Sequence, residues 1–115
     1  MIYQSESGDI SMLMAGETML SRRLSIFDER DYLTAVELNR NADVAFTNLE
    51  TAVRHPHEGY PAPTRGTPMT TPPALLDDLK WMGFNLVATA NNHAGDFGTD
   101  GILATVHHLH ERQVR

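Results

Sequence analysis

Three clusters of polar side chains with metal-ligand chemistry each follow an apolar, strand-like run of the sequence. The clusters are Glu17 after residues 9–15, Asn48 and Glu50 after residues 43–47, and Asn91, Asn92 and His93 after residues 84–90. Because the carboxyl ends of neighbouring parallel strands lie along one edge of a sheet, we expect these clusters to converge although they are far apart in sequence. The sequence therefore predicts an active site at that edge.

The ligand types at this edge indicate which metal ions it suits. Two carboxylates, amide oxygens and one imidazole suit Mn, Mg, Fe or Zn, and oxygen-rich ligation favours the harder ions. Alternatives stay open: Glu17 as a solvated or helix-start acid, and Asn91-Asn92 as turn formers, since asparagine tolerates left-handed backbone geometry. The presence of Asp96 close to His93 favours the functional interpretation.

Five further histidines have residue types that could ligate a metal. His107, His108 and His110 are close in sequence, but residues that share a helix face are three or four apart, so only His107 and His110 are neighbours. We therefore expect this helix not to hold a metal ion. His55 and His57 fall in a stretch rich in proline and glycine and are expected to be solvated.

The elements that must position these residues alternate between strand and helix. Apolar periodicity and breaker residues predict a strand at 9–15, a helix at 28–39, a strand at 44–47, an irregular stretch at 51–71, a helix at 72–82, a strand at 84–90 and a last helix from 99. The strand at 84–90 is apolar on both faces and is expected to be buried between helix layers. This order predicts an α/β fold, β-α-β-α-β-α, with parallel strands joined by right-handed crossovers.

Three details of this order carry further expectations. Gly83 stands where a left-handed C-cap would end the second helix, and the last helix has one apolar face, made of Ile102, Leu103, Val106 and Leu109. The irregular stretch is long for a compact domain and is expected to cover the site. The last residues, 111–115, fall where a further strand should begin, so the sheet is predicted to have three strands and an unprotected edge.

The charge and composition exclude several kinds of site and partner. The chain has no cysteine, which excludes disulfides, thiolate zinc sites and a cysteine nucleophile. Its formal net charge of −6 would repel a polyanion, so we expect no nucleic-acid partner. Arg22 and Arg23, just past the first strand, could bind an anionic substrate or form a plain exposed face.

No apolar stretch of the sequence approaches the roughly 20 residues needed to span a bilayer. The start of the chain also lacks the basic region and apolar core of a secretory signal. We therefore expect a cytoplasmic protein without a membrane segment in this chain, or one associated with the cell envelope if the chain is truncated.

Four motifs occur in the order found in one bacterial protein family. They are Gly16-Glu17-Thr18-Met19-Leu20 with Arg22-Arg23, Ala42-Asp43-Val44 leading to Asn48-Leu49-Glu50-Thr51, Gly66-Thr67-Pro68-Met69, and Gly83-Phe84-Asn85-Leu86-Val87 leading to Asn91-Asn92-His93-Ala94-Gly95-Asp96-Phe97-Gly98. From Asp9 onward the chain resembles the CapA family of bacterial capsule, or poly-γ-glutamate, synthesis proteins, and four ordered motifs are a stronger signal than any one alone. That family is similar to the calcineurin-like metallophosphoesterases. The resemblance implies that residues 1–115 are the front part of an α/β/β/α sandwich around a two-metal site, without its C-terminal half.

The resemblance also implies a role for each matching residue. Glu17 stands where the family usually has an aspartate ligand, and Glu50, with Asn48 beside it, falls at the second metal motif. Asn92-His93 resembles the Gly-Asn-His motif, in which the asparagine ligates a metal and the histidine supports the phosphoryl group or protonates the leaving oxygen. The residues expected to support these groups are Asn91 and Asp96. The histidine motifs of the second half have no counterpart here.

These expectations combine into one leading hypothesis. Two divalent ions about 3.5–4 Å apart can activate a water and neutralise phosphoryl charge while a histidine acts as general acid. The chain would then be a CapA-like protein of capsule or poly-γ-glutamate synthesis that hydrolyses a phosphoryl or related bond, with an anionic polymer or a phosphorylated substrate as its partner. Two alternatives stay open: a non-catalytic subunit that binds the polymer or a synthase partner, and a truncated product without function. We also expect the 115-residue chain alone to bind metal weakly, and to self-associate or be poorly stable because it exposes an apolar sheet edge.

Overall fold

Short apolar runs and helical stripes alternate along the protein as the sequence predicts. The structure is a computed structural model that describes residues 8–63 and 66–115. Its elements are β1 (Met12–Thr18), α1 (Arg30–Asn41), β2 (Val44–Leu49), β3 (Ala52–Val53), β4 (Thr70–Thr71), a 3-10 turn (Pro73–Leu75), α2 (Leu76–Trp81), β5 (Leu86–Ala88) and α3 (Gly98–Glu111). The predicted α/β class is confirmed.

The main sheet has three parallel strands, as predicted, and their order in the sheet is β1-β2-β5. The register between β1 and β2 shifts between Met14 and Glu17, and beyond the shift Glu17 pairs with Asn48. β1 therefore continues to Thr18, and the prediction that the strand stops before Gly16 was wrong. The shift lets the strand continue past Gly16, so that Glu17 lies within the sheet rather than after it.

The core lies on one face of this sheet. Ala45 and Leu49 of β2 are buried there with apolar residues from the helices, from β3 and from connecting segments: Leu20, Val36, Val53, Leu75, Leu76, Leu79, Met82, Phe84, Leu109 and Val114. The opposite face carries Met12 and Met14, which are 53% and 69% exposed. β5 is only half-buried along its length, so the expectation that this strand is buried on both faces was wrong.

α3 packs through small and polar residues rather than through its apolar stripe. Its buried residues are Gly101, Ala104, Thr105, His108 and Leu109, whereas the predicted contact residues Ile102, Leu103 and Val106 are 43%, 61% and 41% exposed. The reason is the close approach of α3 to β3, where the Thr105 hydroxyl accepts a hydrogen bond from the Val53 backbone N–H at 2.9 Å. Of the predicted stripe, only Leu109 joins the core.

The stretch predicted to be irregular contains two short strands. β3 and β4 form a second, parallel sheet that pairs Ala52 with Thr70 and Val53 with Thr71. The hydroxyls of Thr51 and Thr71 also share a hydrogen bond of 2.6 Å. The two ends of the stretch are therefore joined, and its residues 64 and 65 lie outside the described part.

At the far edge of the main sheet, the backbone around β5 is hydrogen-bonded to Arg115. The Arg115 N–H donates to the Asn85 carbonyl at 3.2 Å, and the Val87 N–H donates to the Arg115 carbonyl at 2.6 Å. This is the hydrogen-bond pattern of a parallel ladder. None of the described helices is both long and apolar enough to cross a bilayer.

Candidate metal centre at the strand ends

The carboxyl end of β2 places a carboxylate and an amide side by side. The Asn48 side-chain N–H₂ donates to Glu50 Oε2 at 2.5 Å. Glu50 is buried, with only 6% of the residue exposed. The Glu50 backbone N–H donates to the Thr18 carbonyl at 3.1 Å. Because Glu17 pairs with Asn48 in the ladder, the exposed Glu17 lies directly beside this pair.

Two threonine hydroxyls that no sequence pattern singled out hold β1 against β2 at this point. Thr47 is fully buried, and its hydroxyl donates to the Gly16 carbonyl at 2.7 Å. The same hydroxyl lies 2.6 Å from that of Thr18. These contacts hold Gly16 and Thr18, the residues on both sides of Glu17, and so fix the backbone position from which the Glu17 side chain extends.

Asn91 connects the turn after β5 to the end of β2. Its side-chain N–H₂ donates to Asn48 Oδ1 at 3.1 Å and to the Leu49 carbonyl at 2.9 Å. Its Oδ1 accepts the His93 backbone N–H at 3.0 Å. Asn91 is therefore a bridge between two of the predicted clusters.

His93 and Asp96 form a hydrogen-bonded pair beside this bridge. His93 Nδ1 lies 2.7 Å from Asp96 Oδ2, and the aspartate is buried. The irregular stretch contacts the same aspartate, because the Met69 N–H donates to Oδ2 at 2.7 Å and the Ala62 N–H donates to its backbone carbonyl at 2.8 Å. With Nδ1 held by Asp96, Nε2 is the ring nitrogen that can exchange a proton or ligate.

The described contacts thus connect most of the predicted site residues. Hydrogen bonds run from Glu50 through Asn48 and Asn91 to His93 and Asp96. The remaining residues are Glu17, the ladder partner of Asn48, and Asn92, an exposed residue of the turn. That Glu17 and Asn92 share one metal shell with the others stays a prediction.

The two arginines lie in different surroundings. Arg22 is exposed. Arg23 Nη1 lies 3.3 Å from Oδ2 of the buried Asp78, whose Oδ1 accepts the backbone N–H groups of Leu24 and Ser25 at 2.8 and 2.7 Å. Arg23 therefore helps to anchor the segment after β1, and substrate binding by either arginine stays a prediction.

The side chains at the strand ends are of the types that ligate a hard divalent ion. They include the carboxylates of Glu17 and Glu50, the amides of Asn48 and Asn92, and the His93 imidazole. Within residues 8–63 and 66–115, the groups of three His, Asp or Glu ligand atoms within 4.8 Å of one another lie elsewhere, on α3 and in the segment after β3. A metal ion here would thus be held by a mixed set in which amide oxygens take part, and the residues present fit such an ion.

Comparison with known proteins finds a matching family model and similar proteins. A family model described as bacterial capsule synthesis protein PGA_cap matches residues 7–115, which include every strand-end residue named above. The uncharacterized proteins y4sH and y4uA of Sinorhizobium fredii (strain NBRC 101917 / NGR234) are each 36% identical over 104 residues. Each match covers 88% of this chain and 23% of the relative, so the chain spans about a quarter of the length of these curated proteins.

Proposed function

Because the chain belongs to the bacterial capsule synthesis protein family PGA_cap, we propose that its strand-end residues serve metal-dependent hydrolysis of a phosphoester during the synthesis of a capsule polymer. The observation that carries this proposal is the connection of the His93–Asp96 pair, through Asn91, to Asn48 and Glu50. A proton-transfer group and a buried carboxylate are thereby held at one sheet edge.

His93 is the proposed general acid. The ionised Asp96 carboxylate only accepts hydrogen bonds, so it fixes the His93 tautomer in which Nδ1 carries a proton. A second proton on Nε2 can then pass to a leaving oxygen, and the Asp96 charge stabilises the imidazolium before that transfer. Asp96 itself is buried, so its carboxylate has little contact with water.

Glu50 and its neighbours are the proposed metal-binding part. Glu17, Glu50 and the amide oxygens of Asn48 or Asn92 would hold a divalent ion such as Mn or Mg. When bound, such an ion supplies an activated water and neutralises phosphoryl charge. The hydrogen bond from Asn48 orients the Glu50 carboxylate toward the strand end, where Glu17 also lies.

The proposal is tested by the kinetics of two substitutions with Mn²⁺ and the substrate bis(p-nitrophenyl) phosphate. His93→Ala should lower kcat by about 10²- to 10⁴-fold while bound manganese is retained, because a general acid acts in the transition state. Glu50→Gln should lower both manganese binding and activity, since it removes ligand charge. His110→Ala, a change at an exposed histidine of α3, is the matched control and should leave both unchanged.

A non-catalytic binding module is the second candidate. It is favoured by the amides of Asn48 and Asn91, which hydrogen-bond to each other instead of presenting both oxygens outward. In that case the same edge would bind an anionic polymer such as poly-γ-glutamate, or a synthase partner, without turnover. Small effects of His93→Ala and Glu50→Gln, no larger than that of His110→Ala, would reject the catalytic proposal and favour this one.

A further inference from the structure

A second cluster of imidazoles and carboxylates joins α3 to the segment after β3. His108 is 4% exposed, and its Nε2 lies 2.8 Å from Glu58 Oε2 while its Nδ1 lies 3.3 Å from Glu111 Oε2. The His55 ring packs edge-on against the His108 ring with the centroids 5.1 Å apart. None of these residues belongs to the strand-end site.

A positive charge at the buried His108 would satisfy both of its carboxylate contacts. A neutral imidazole carries one N–H, and an ionised carboxylate has no hydrogen to donate. One of the two contacts of His108 would therefore place a lone pair against a carboxylate oxygen, unless a second proton or a metal ion lies there. The His55 backbone N–H and the His108 side chain lower the pKa of Glu58 to about 2, so this carboxylate is ionised at neutral pH.

The segment that carries His55 and Glu58 is already held in place. The Arg54 guanidinium donates to the carbonyls of Glu58, Pro56 and Gly59 at 2.6, 2.6 and 2.9 Å. The His55 N–H donates to Glu58 Oε2 at 2.6 Å. Because these bonds already fix the backbone, the segment loses little conformational entropy when a ligand binds.

We propose that His55, Glu58 and His108 bind a zinc ion and that Glu111 orients His108. One ligand atom from each of the three residues lies within 4.8 Å of the others. A tetrahedral zinc shell needs ligand atoms about 3.4 Å apart, so the 2.8 Å contact between His108 Nε2 and Glu58 Oε2 must lengthen and the exposed His55 ring must turn toward the ion. The Glu111 contact at Nδ1 is the carboxylate–histidine–zinc arrangement that fixes the tautomer of a ligand histidine. The zinc ion replaces the second proton and ties the segment after β3 to α3.

A second combination of the same groups is less favourable. His107, His108 and Glu111 also lie within reach of one another. However, the His107 side chain is 63% exposed, so its ring competes with water. Glu111 is also more exposed than Glu58, at 52% against 23% of the side chain, and competes more with water.

The test is a zinc titration in competition with a chromophoric chelator at pH 7.5. All proteins carry Glu50→Gln, so that the strand-end residues do not dominate the result. This background should bind one zinc ion, His55→Ala or Glu58→Gln should weaken binding at least about tenfold, and His110→Ala should change it by less than about twofold. His55 and His110 are both exposed, so their substitution is a matched pair with little effect on folding.

Several results would overturn the zinc site. They are no zinc binding by the Glu50→Gln protein, equal effects of His55→Ala and His110→Ala, or a larger loss for His107→Ala than for His55→Ala. The same variants are also compared with Glu50 intact, where His55→Ala should remove one equivalent of bound zinc. An unchanged number of bound ions in that comparison also contradicts the proposal.

Discussion

Asp78 is a buried carboxylate whose contacts hold the segment after β1. It is 1% exposed and accepts the backbone N–H groups of Leu24 and Ser25, while Arg23 lies 3.3 Å away. Burial raises the pKa of Asp78, but the Ser25 and Leu24 hydrogen bonds and the Arg23 charge together hold it below its ordinary value. The charged form is therefore the one that the folded protein stabilises.

The substitution Asp78→Asn should lower the free energy of unfolding by about 1.5–3 kcal/mol at pH 7, the contribution of hydrogen bonds to a charged group. The folded-state pKa lies below the unfolded value, so this stability is present above the unfolded pKa and is lost as pH falls through the folded pKa. Denaturation at a series of pH values should show the difference from the unsubstituted protein shrinking below about pH 4.

The neighbouring Asp77→Asn is the control for this prediction. Asp77 is exposed and lies 3.3 Å from Arg112, and such surface ion pairs contribute about 0–1 kcal/mol. If Asp77→Asn costs as much as Asp78→Asn, or if the cost of Asp78→Asn persists undiminished at pH 3, the carboxylate does not have the anchoring role described here.

At the scale of single residues, the sequence predicted contacts between side chains at the ends of parallel strands. It did not predict contacts made by residues of the long irregular stretch. Asn48, Asn91 and His93 meet because parallel strands end at one edge. His108 could not be identified in this way, since its partner Glu58 is 50 positions away and belongs to a stretch with no periodic pattern. Helical spacing alone suggested His107 and His110 instead.

Gly83 is the residue at which the ends of α1 and α2 meet. Its φ of +95° follows α2, and the bonds from the Phe84 N–H to the Leu79 carbonyl and from the Gly83 N–H to the Lys80 carbonyl form a Schellman motif. A Cβ atom here would lie 2.8 Å from the Arg40 backbone nitrogen of α1. The predicted C-cap is confirmed, and the close approach explains why the position also excludes a side chain.

The substitution Gly83→Ala should therefore destabilise the protein more than Gly98→Ala does. Both positions have a left-handed backbone, which costs a non-glycine residue about 1–2 kcal/mol. At Gly98 a Cβ would meet no atom within 4 Å, whereas at Gly83 overlap with Arg40 adds about 1–3 kcal/mol. Thermal unfolding of the two variants measures the difference, and equal melting temperatures would contradict the packing of α1 against α2 at this glycine.

At the scale of elements, the order and the parallel direction of the main strands followed from periodicity, but their lengths and exposed faces did not. The register shift in β1 and the pairing of β3 with β4 depend on partners that a single run of sequence cannot show. The predicted apolar face of α3 is the wrong one because hydrophobicity alone does not decide which side of this helix is buried. The buried residues include the small Gly101 and Ala104, and a Cβ atom on Gly101 would overlap the Phe97 side chain.

At the scale of the whole molecule, one face of the main sheet remains open in the described residues. Met14, Phe46 and Leu86 are ladder partners and therefore share that face, and Met14 is 69% exposed. An apolar sheet face with this exposure is typical of a contact surface. Self-association of the chain thus stays a prediction, and so does weak metal binding by these 115 residues.

The most direct test of a catalytic centre at the strand ends is an anomalous difference map from crystals of the protein grown with Mn²⁺. We expect a manganese peak among the oxygens of Glu17, Asn48 and Glu50, on the side of the sheet edge where His93 lies. A map with manganese only at His55, Glu58 and His108, or with none in the protein, would contradict a metal-dependent hydrolytic site at this edge.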